Sequence, residues 1–139
     1  MKRIPDARLK EGDVVPEIAQ AFEASGARIF RNNSGVAKFG KHWVRYGIRE
    51  KGKKGGGSDN IGYLPVRITQ EMVGHYVAVF IAAESKRPVG GTYDDDQILF
   101  IDNVKAAGGI AGFVRGWEQA KDLIDAFYRR FSNVIKQSP

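Results

Sequence analysis

The chain has no cysteine, which excludes disulfides, thiol nucleophiles and zinc-ribbon sites and fits a reducing compartment. Histidine is nearly as scarce. His42 and His75 are widely separated, have no metal-ligand spacing, and read as surface or phosphate-contacting residues. No apolar run approaches the roughly 20 residues of a membrane-spanning helix. The opening Met1-Lys2-Arg3-Ile4-Pro5 lacks the apolar core of a signal peptide, so the expectation is a soluble, cytoplasmic protein. Neither a Ser-His-Asp arrangement, a P-loop nor a dinucleotide fingerprint occurs. Those absences direct attention to carboxylate and lysine chemistry.

The 139 residues are 42% hydrophobic, enough to bury a real core, and no linker divides them. A single domain over 1–139 is expected. The net charge of +6 favours a polyanionic partner. Its distribution is uneven: Arg28, Arg31, Lys38, Lys41, Arg45, Arg49, Lys51, Lys53 and Lys54 are opposed in that stretch only by Glu50. Phe30, Phe39, Trp43 and Tyr46 are interleaved with them, along with Asn32, Asn33 and Ser34. Lysine and arginine neutralise phosphates while Asn, Ser and Gly amides position them, so the segment suits nucleic acid; the bland alternative is a solvated loop region. The candidate contacts are Arg31, Asn32, Asn33, Ser34, Lys38, Lys41, Arg45, Lys53, Lys54 and, after the central strand, Arg87.

The periodicity is that of an α/β chain. Asp13 is expected to cap a helix running to about Ser25, with Pro16 in its first turn, Val15, Ile18 and Phe22 as its stripe, and Gly26 at its end. Arg28-Ile29-Phe30 reads as a strand, and His42 to Ile48 as another extended piece. Lys51 to Ser58 is a turn-rich loop, and Ile61 to Ile68 is extended but disturbed by Pro65. Thr69 to His75 is a turn before a strand over Tyr76–Glu84, whose near-continuous hydrophobicity suggests burial on both faces. A helix is expected from Asp94 to Ala107, a strand over Ile110–Val114 and a last helix over Trp117–Ile135 that buries Leu123, Ile124, Phe127 and Phe131.

Glu84-Ser85-Lys86 closes the central strand. Residues two apart on a strand point to the same side, so the Glu84 carboxylate and Lys86 ammonium project together. Charges at a buried strand end cost several kcal/mol unless paired or bound to a metal. The triplet is a common string, and a salt-bridged strand end is the plain alternative. Upstream, Gly57-Ser58-Asp59 offers a second carboxylate. Gln97 shares a helical stripe with Ile101 and Val104, so it either points into the site or bonds locally at the helix start. Asp94-Asp95-Asp96 resemble a metal cluster but are better placed to cap and charge a helix N-terminus.

The order α–β–β–β–α–β–α, with acids at a loop–strand junction and at a strand end, resembles the PD-(D/E)xK nuclease superfamily, and more specifically its VRR-NUC family. The residues that carry the resemblance are Gly57-Ser58-Asp59-Asn60-Ile61-Gly62, Glu84-Ser85-Lys86, Gln97 with Phe100-Ile101, Ala107-Gly108-Gly109, and Val114-Arg115. Glu17 and Phe30-Arg31-Asn32-Asn33-Ser34-Gly35 match the family's opening helix and basic strand, so the likeness runs from about Asp13 to Ile124. Two positions depart from the pattern. Ser58 stands where many members carry Pro, and Gly116 stands where the family name leads one to expect a second Arg.

The resemblance implies a restriction-endonuclease-like core, a mixed β-sheet flanked by helices, in a stand-alone member of phage or bacterial type. It implies a Mg²⁺- or Mn²⁺-dependent endodeoxyribonuclease acting on structured DNA such as Holliday junctions or flaps, possible as a homodimer, in the cytoplasm of a bacterial or phage-infected cell. Asp59, Glu84 and the Ser85 carbonyl would be metal ligands, hard oxygen donors that such cations prefer. Lys86 would orient the attacking water and stabilise charge on phosphorus, with Gln97 as a supporting catalytic group. Glu17 would reach a second metal or its water; otherwise it is a first-turn acid favoured by the helix dipole. The competing expectation is a catalytically silent nucleic-acid-binding module of the same fold.

Overall fold

The computed structural model describes Arg8, residues 10–53 and residues 58–135. Met1–Pro5, Lys54 and Gly55 to Gly57 lie outside the described residues. The chain is mixed α/β, with three helices and small antiparallel and parallel sheets among the described residues. It gathers into two units that meet in sequence at Pro65 and Val66. None of the described helices is long and apolar enough to cross a membrane.

The first unit opens with α1 (Glu11–Ala24). Asp13 is not its N-cap. Lys10 occupies that position, and Asp13, from the third helical residue, reaches back to accept the Lys10 backbone N–H at 3.0 Å. An acid can satisfy an orphan donor from either place, which is why the start shifted by three residues. Pro16 then falls in the second turn, where its missing N–H leaves the Gly12 carbonyl without its helical donor. Val15 is buried, while Ile18 and Phe22 of the same stripe stay exposed.

Helix α1 ends as its sequence suggests. Gly26, at φ 94°, donates to Glu23, and Ala27 donates to Phe22, a paired closure that needs a left-handed residue after the cap. Strand β1 (Arg28–Arg31) follows, then β2 (Gly35–Phe39), β3 (His42–Tyr46) and β4 (Asn60–Tyr63). Strands β1 and β4 pair antiparallel with Phe30 opposite Ile61. Strands β2 and β3 form a hairpin closed by Gly40-Lys41, with Phe39 opposite His42. The hairpin is the departure from the expected order: five strands, not three, lie between the first two long helices. Strand β4 stops two residues before Pro65.

The second unit contains a 3₁₀ turn at Gln70–Met72, then β5 (Ile81–Ser85), α2 (Asp95–Ala106), β6 (Ile110–Val114) and α3 (Trp117–Ile135). Strands β5 and β6 run parallel, joined by α2, with Glu84 opposite Phe113. The core is Ile101 and Val104 from α2 packed on Ile110, Ala111 and Val114 from β6. The Asp94 carboxylate caps α2 by accepting the Asp96 N–H at 2.8 Å. Gly108 at φ 95° closes α2 with the pair Gly108 to Lys105 and Gly109 to Val104, repeating the closure of α1.

The central strand is shorter and more open than its sequence implies. Ladder pairing begins at Ile81, Tyr76 is fully exposed, and β5 alternates between exposed and half-buried residues. Among the described residues β5 has one strand partner, β6. A strand covered on one face shows such alternation, whereas continuous burial needs cover on both faces. On α3, Leu123, Ile124 and Phe127 are half-buried; Phe131, expected in the core, is exposed and packs against Phe127 with ring centroids 5.2 Å apart.

Candidate active site

The C-terminal end of β5 carries Glu84 and Lys86 on one side of the strand, as their spacing requires. Their charged groups stand 3.9 Å apart. Gln97, in the first turn of α2, bridges them: its Nε2 donates to Glu84 Oε1 at 2.8 Å, and its Oε1 accepts from Lys86 Nζ at 2.9 Å. The helix periodicity that places Ile101 and Val104 in the core puts Gln97 one turn earlier on the same side. The side-role alternative, a bond to local backbone, is not what the amide does.

Lys86 is held from several directions. Its ammonium also donates to the Thr92 carbonyl at 2.8 Å. It lies 5.6 Å from the Tyr93 ring centroid and 5.4 Å from that of Phe113. Those two rings meet edge to face at 4.6 Å. The side chain of Lys86 is only 12% exposed, against 38% for Glu84. Two of three ammonium donors are therefore engaged, and the ring faces add cation–π contact.

The loop that roofs Lys86 is itself anchored by Arg115. Its guanidinium donates to the carbonyls of Arg87 and of Gly90, the latter at 2.7 Å, and to the Tyr93 hydroxyl at 3.0 Å. The Arg115 backbone N–H is capped by Gln119 at 2.8 Å. Thr92, Tyr93, Phe113 and the anchoring role of Arg115 were not anticipated. Phe113 could have been found from its register opposite Glu84; the loop contacts have no local sequence signal.

Backbone alternation assigns the Ser85 carbonyl. Ile110 N donates to the Phe80 carbonyl and Lys86 N donates to Val114, so even-numbered residues of β5 face β6. Ser85 then turns its carbonyl to the opposite edge. Glu84 also lines a cleft of about 520 Å³ with Asp96, Gln97, Phe100 and Ile101. Asp96 is thus a second carboxylate at this cleft beyond its place in the first turn of α2.

The other expected site residues belong to the first unit. Asp59 is exposed, immediately before β4, and its carbonyl accepts the Asn32 N–H at 2.8 Å. Asn60, the next residue, donates to the Val15 carbonyl at 3.5 Å, tying this junction to the helix that carries Glu17. Glu17 is exposed on α1. No group of three or more His, Asp or Glu side chains suited to a metal occurs among the described residues.

Asn32 corrects the sequence reading. It is 8% exposed, and its side-chain amide is spent inside the protein, donating to the Ile48 and Ser58 carbonyls and accepting the Ile48 N–H. Burial of an amide requires such partners, so Asn32 braces the backbone beside Asp59 rather than facing phosphate. Arg31, Asn33, Ser34, Lys38, Lys41, Arg45, Lys53 and Arg87 are exposed, and Arg31 Nε donates to Asn33 Oδ1 at 3.2 Å. Lys54 is outside the described residues.

Compared with known proteins, the chain matches no family model, no curated protein and no solved structure.

Proposed function

We propose that this chain is a divalent-metal-dependent endodeoxyribonuclease of VRR-NUC type, with a restriction-endonuclease-like core, that hydrolyses phosphodiester bonds in branched or otherwise structured DNA. The observation that carries the reading is the hydrogen-bonded chain Glu84–Gln97–Lys86 at the end of a parallel strand. A salt-bridged strand end needs no third residue, whereas this one has an amide that orients both charges. The helices and strands follow in the order αβββββαβα, two strands more than the αβββαβα that the resemblance implies.

The donor set fits Mg²⁺ or Mn²⁺. Glu84 supplies a half-exposed carboxylate and Ser85 a carbonyl turned off the ladder; such cations take one or two carboxylates and keep several waters. When bound, the metal lowers the pKa of a coordinated water and withdraws charge from the scissile phosphate. Gln97 fixes the direction of the Glu84 carboxylate. Lys86 turns its remaining N–H toward the attacking water and the oxygens on which charge develops. Two copies of the chain around a two-fold axis would present two Glu84 clusters to two strands.

Incubation with linear, flap and four-way-junction DNA in Mg²⁺ or Mn²⁺ tests the reading. Cleavage is expected with the unaltered protein and is lost in EDTA and in Glu84→Ala. Undiminished cleavage by purified Glu84→Ala, or in excess EDTA, refutes the assignment. A catalytically silent DNA-binding module is the second reading, favoured by one observation: the basic segment 28–53 and the Glu84 cluster lie in different units, so binding does not require the chemistry. Tight, salt-sensitive binding with no cleavage under any metal would select it.

A further inference from the structure

The β2–β3 hairpin separates its charges by face. Residues directly opposite in an antiparallel pair share a face, and residues two apart along a strand do too. The pairs Val36–Arg45 and Lys38–Trp43 therefore form one face; Gly35–Tyr46, Ala37–Val44 and Phe39–His42 form the other. Both strand cations lie with Trp43, and the opposite face holds no Lys, Arg, Asp or Glu. No acid occurs anywhere from Arg28 to Arg49.

Tyr46 and Trp43, one from each face, are held differently, while Phe39 on the uncharged face is 66% exposed opposite His42. On the uncharged face the Tyr46 ring lies against Gly35, where a Cβ would meet its hydroxyl oxygen at 2.7 Å. On the charged face Trp43 is 69% exposed and has Lys38 Nζ over its ring at 5.8 Å from the centroid. An exposed indole between two cations offers a stacking surface flanked by phosphate-neutralising groups, the combination that binds single strands with little sequence preference.

We infer that this face of the hairpin binds an unpaired DNA strand, with a base stacked on Trp43 and the flanking phosphates on Lys38 and Arg45. The inference rests on the nucleic-acid reading above and goes further by naming the surface and the strand state it selects. Unpaired bases are what distinguish flaps and open branch points from plain duplex. Duplex keeps its base faces covered and offers Trp43 nothing to stack on.

The test uses the full-length chain carrying Trp117→Phe, so that Trp43 is the sole indole, in EDTA to prevent cleavage. Titration with a 15-nucleotide oligo-dT is expected to quench the fluorescence saturably, with an affinity that falls as salt rises. Trp43→Ala, followed by strand anisotropy, is expected to weaken binding by about 5- to 150-fold, while Trp43→Phe retains most of it. Lys38→Glu and Arg45→Glu each weaken binding, and Phe39→Ala on the other face leaves it within about twofold, as expected for a surface site away from the stacked base. Circular dichroism of each variant checks the fold, and Trp43→Phe keeps the test decisive where the alanine variant is unfolded. Absence of quenching, equal quenching by duplex, a preference for oligo-U, or an equal loss in Phe39→Ala overturns the inference. The readout is strand binding in EDTA and does not depend on cleavage, so failure here is separable from failure of the nuclease reading.

Discussion

Gln97 Nε2 points at Glu84 Oε1 across 2.8 Å, and this one hydrogen bond determines which end of the amide faces Lys86. A carboxylate only accepts and an ammonium only donates, so the amide has a single orientation that satisfies both. Replacing Gln97 by Leu keeps the volume and removes both bonds. On the proposed nuclease reading, cleavage of junction DNA is expected to fall roughly 10- to 100-fold, the usual cost of losing a group that orients a metal ligand. The urea midpoint is expected to move little, which separates misorientation from unfolding.

Arg115 holds the loop over Lys86 through two carbonyls and a phenol. Lysine keeps the charge but not the planar fork that reaches several acceptors at once. Both Arg115→Lys and Arg115→Gln are expected to speed amide exchange across residues 87–93, with Arg115→Gln costing about 2 kcal/mol of stability, in the range for hydrogen bonds to a charged donor. Hydrogen-exchange mass spectrometry reads the first effect and urea unfolding the second. Unaltered exchange in that loop would show that Arg115 does not anchor it.

The geometry of Glu84, Lys86 and Gln97 was legible because each rests on a short-range rule: alternation along a strand, or one turn of a helix. Strand β6 was legible as a short apolar run after Gly108-Gly109, and helix α3 because its apolar residues recur at helical spacing. The hairpin was only half visible. Val44 and Tyr46 mark β3 as a strand, whereas Gly35, Ala37 and Lys38 have weak strand preference and become a strand by pairing with β3. Asn32 was misread because an Asn among Arg, Asn and Ser looks solvated; its burial depends on Ile48 and Ser58, residues 16 and 26 positions away.

Asn32→Ala removes three internal hydrogen bonds and leaves the Ile48 N–H and two carbonyls to find other partners. A loss of about 1–3 kcal/mol is expected from the unmet groups, measured by urea or thermal unfolding. The variant's DNA affinity, measured in conditions where it remains folded, is expected to be retained, because Asn32 faces inward. A large loss of affinity with unchanged stability would return Asn32 to the phosphate-contacting set.

Gly109 and Gly116 make a controlled pair. A Cβ on Gly109 would meet Val104 Cγ1 at 2.7 Å and the Phe80 carbonyl at 2.9 Å, whereas one on Gly116 meets nothing within 4 Å. Gly109→Ala is expected to cost about 1–3 kcal/mol through overpacking beside the buried Val104. Gly116→Ala is expected to stay within about 0.5 kcal/mol. Space at Gly116 also admits an arginine, so Gly116→Arg is expected to fold normally, checked by its thermal midpoint.

Asn32 ties Ile48 to Ser58, and Ser34 lies directly against Gly47. The excursion through the hairpin thus leaves and rejoins the first unit at a single point. A segment with neighbouring ends behaves as an exchangeable cassette: it can be shortened, swapped or recoded without lengthening the path of the remaining chain. A hairpin of different length or charge set between Ser34 and Gly47 is accommodated by the same backbone anchors.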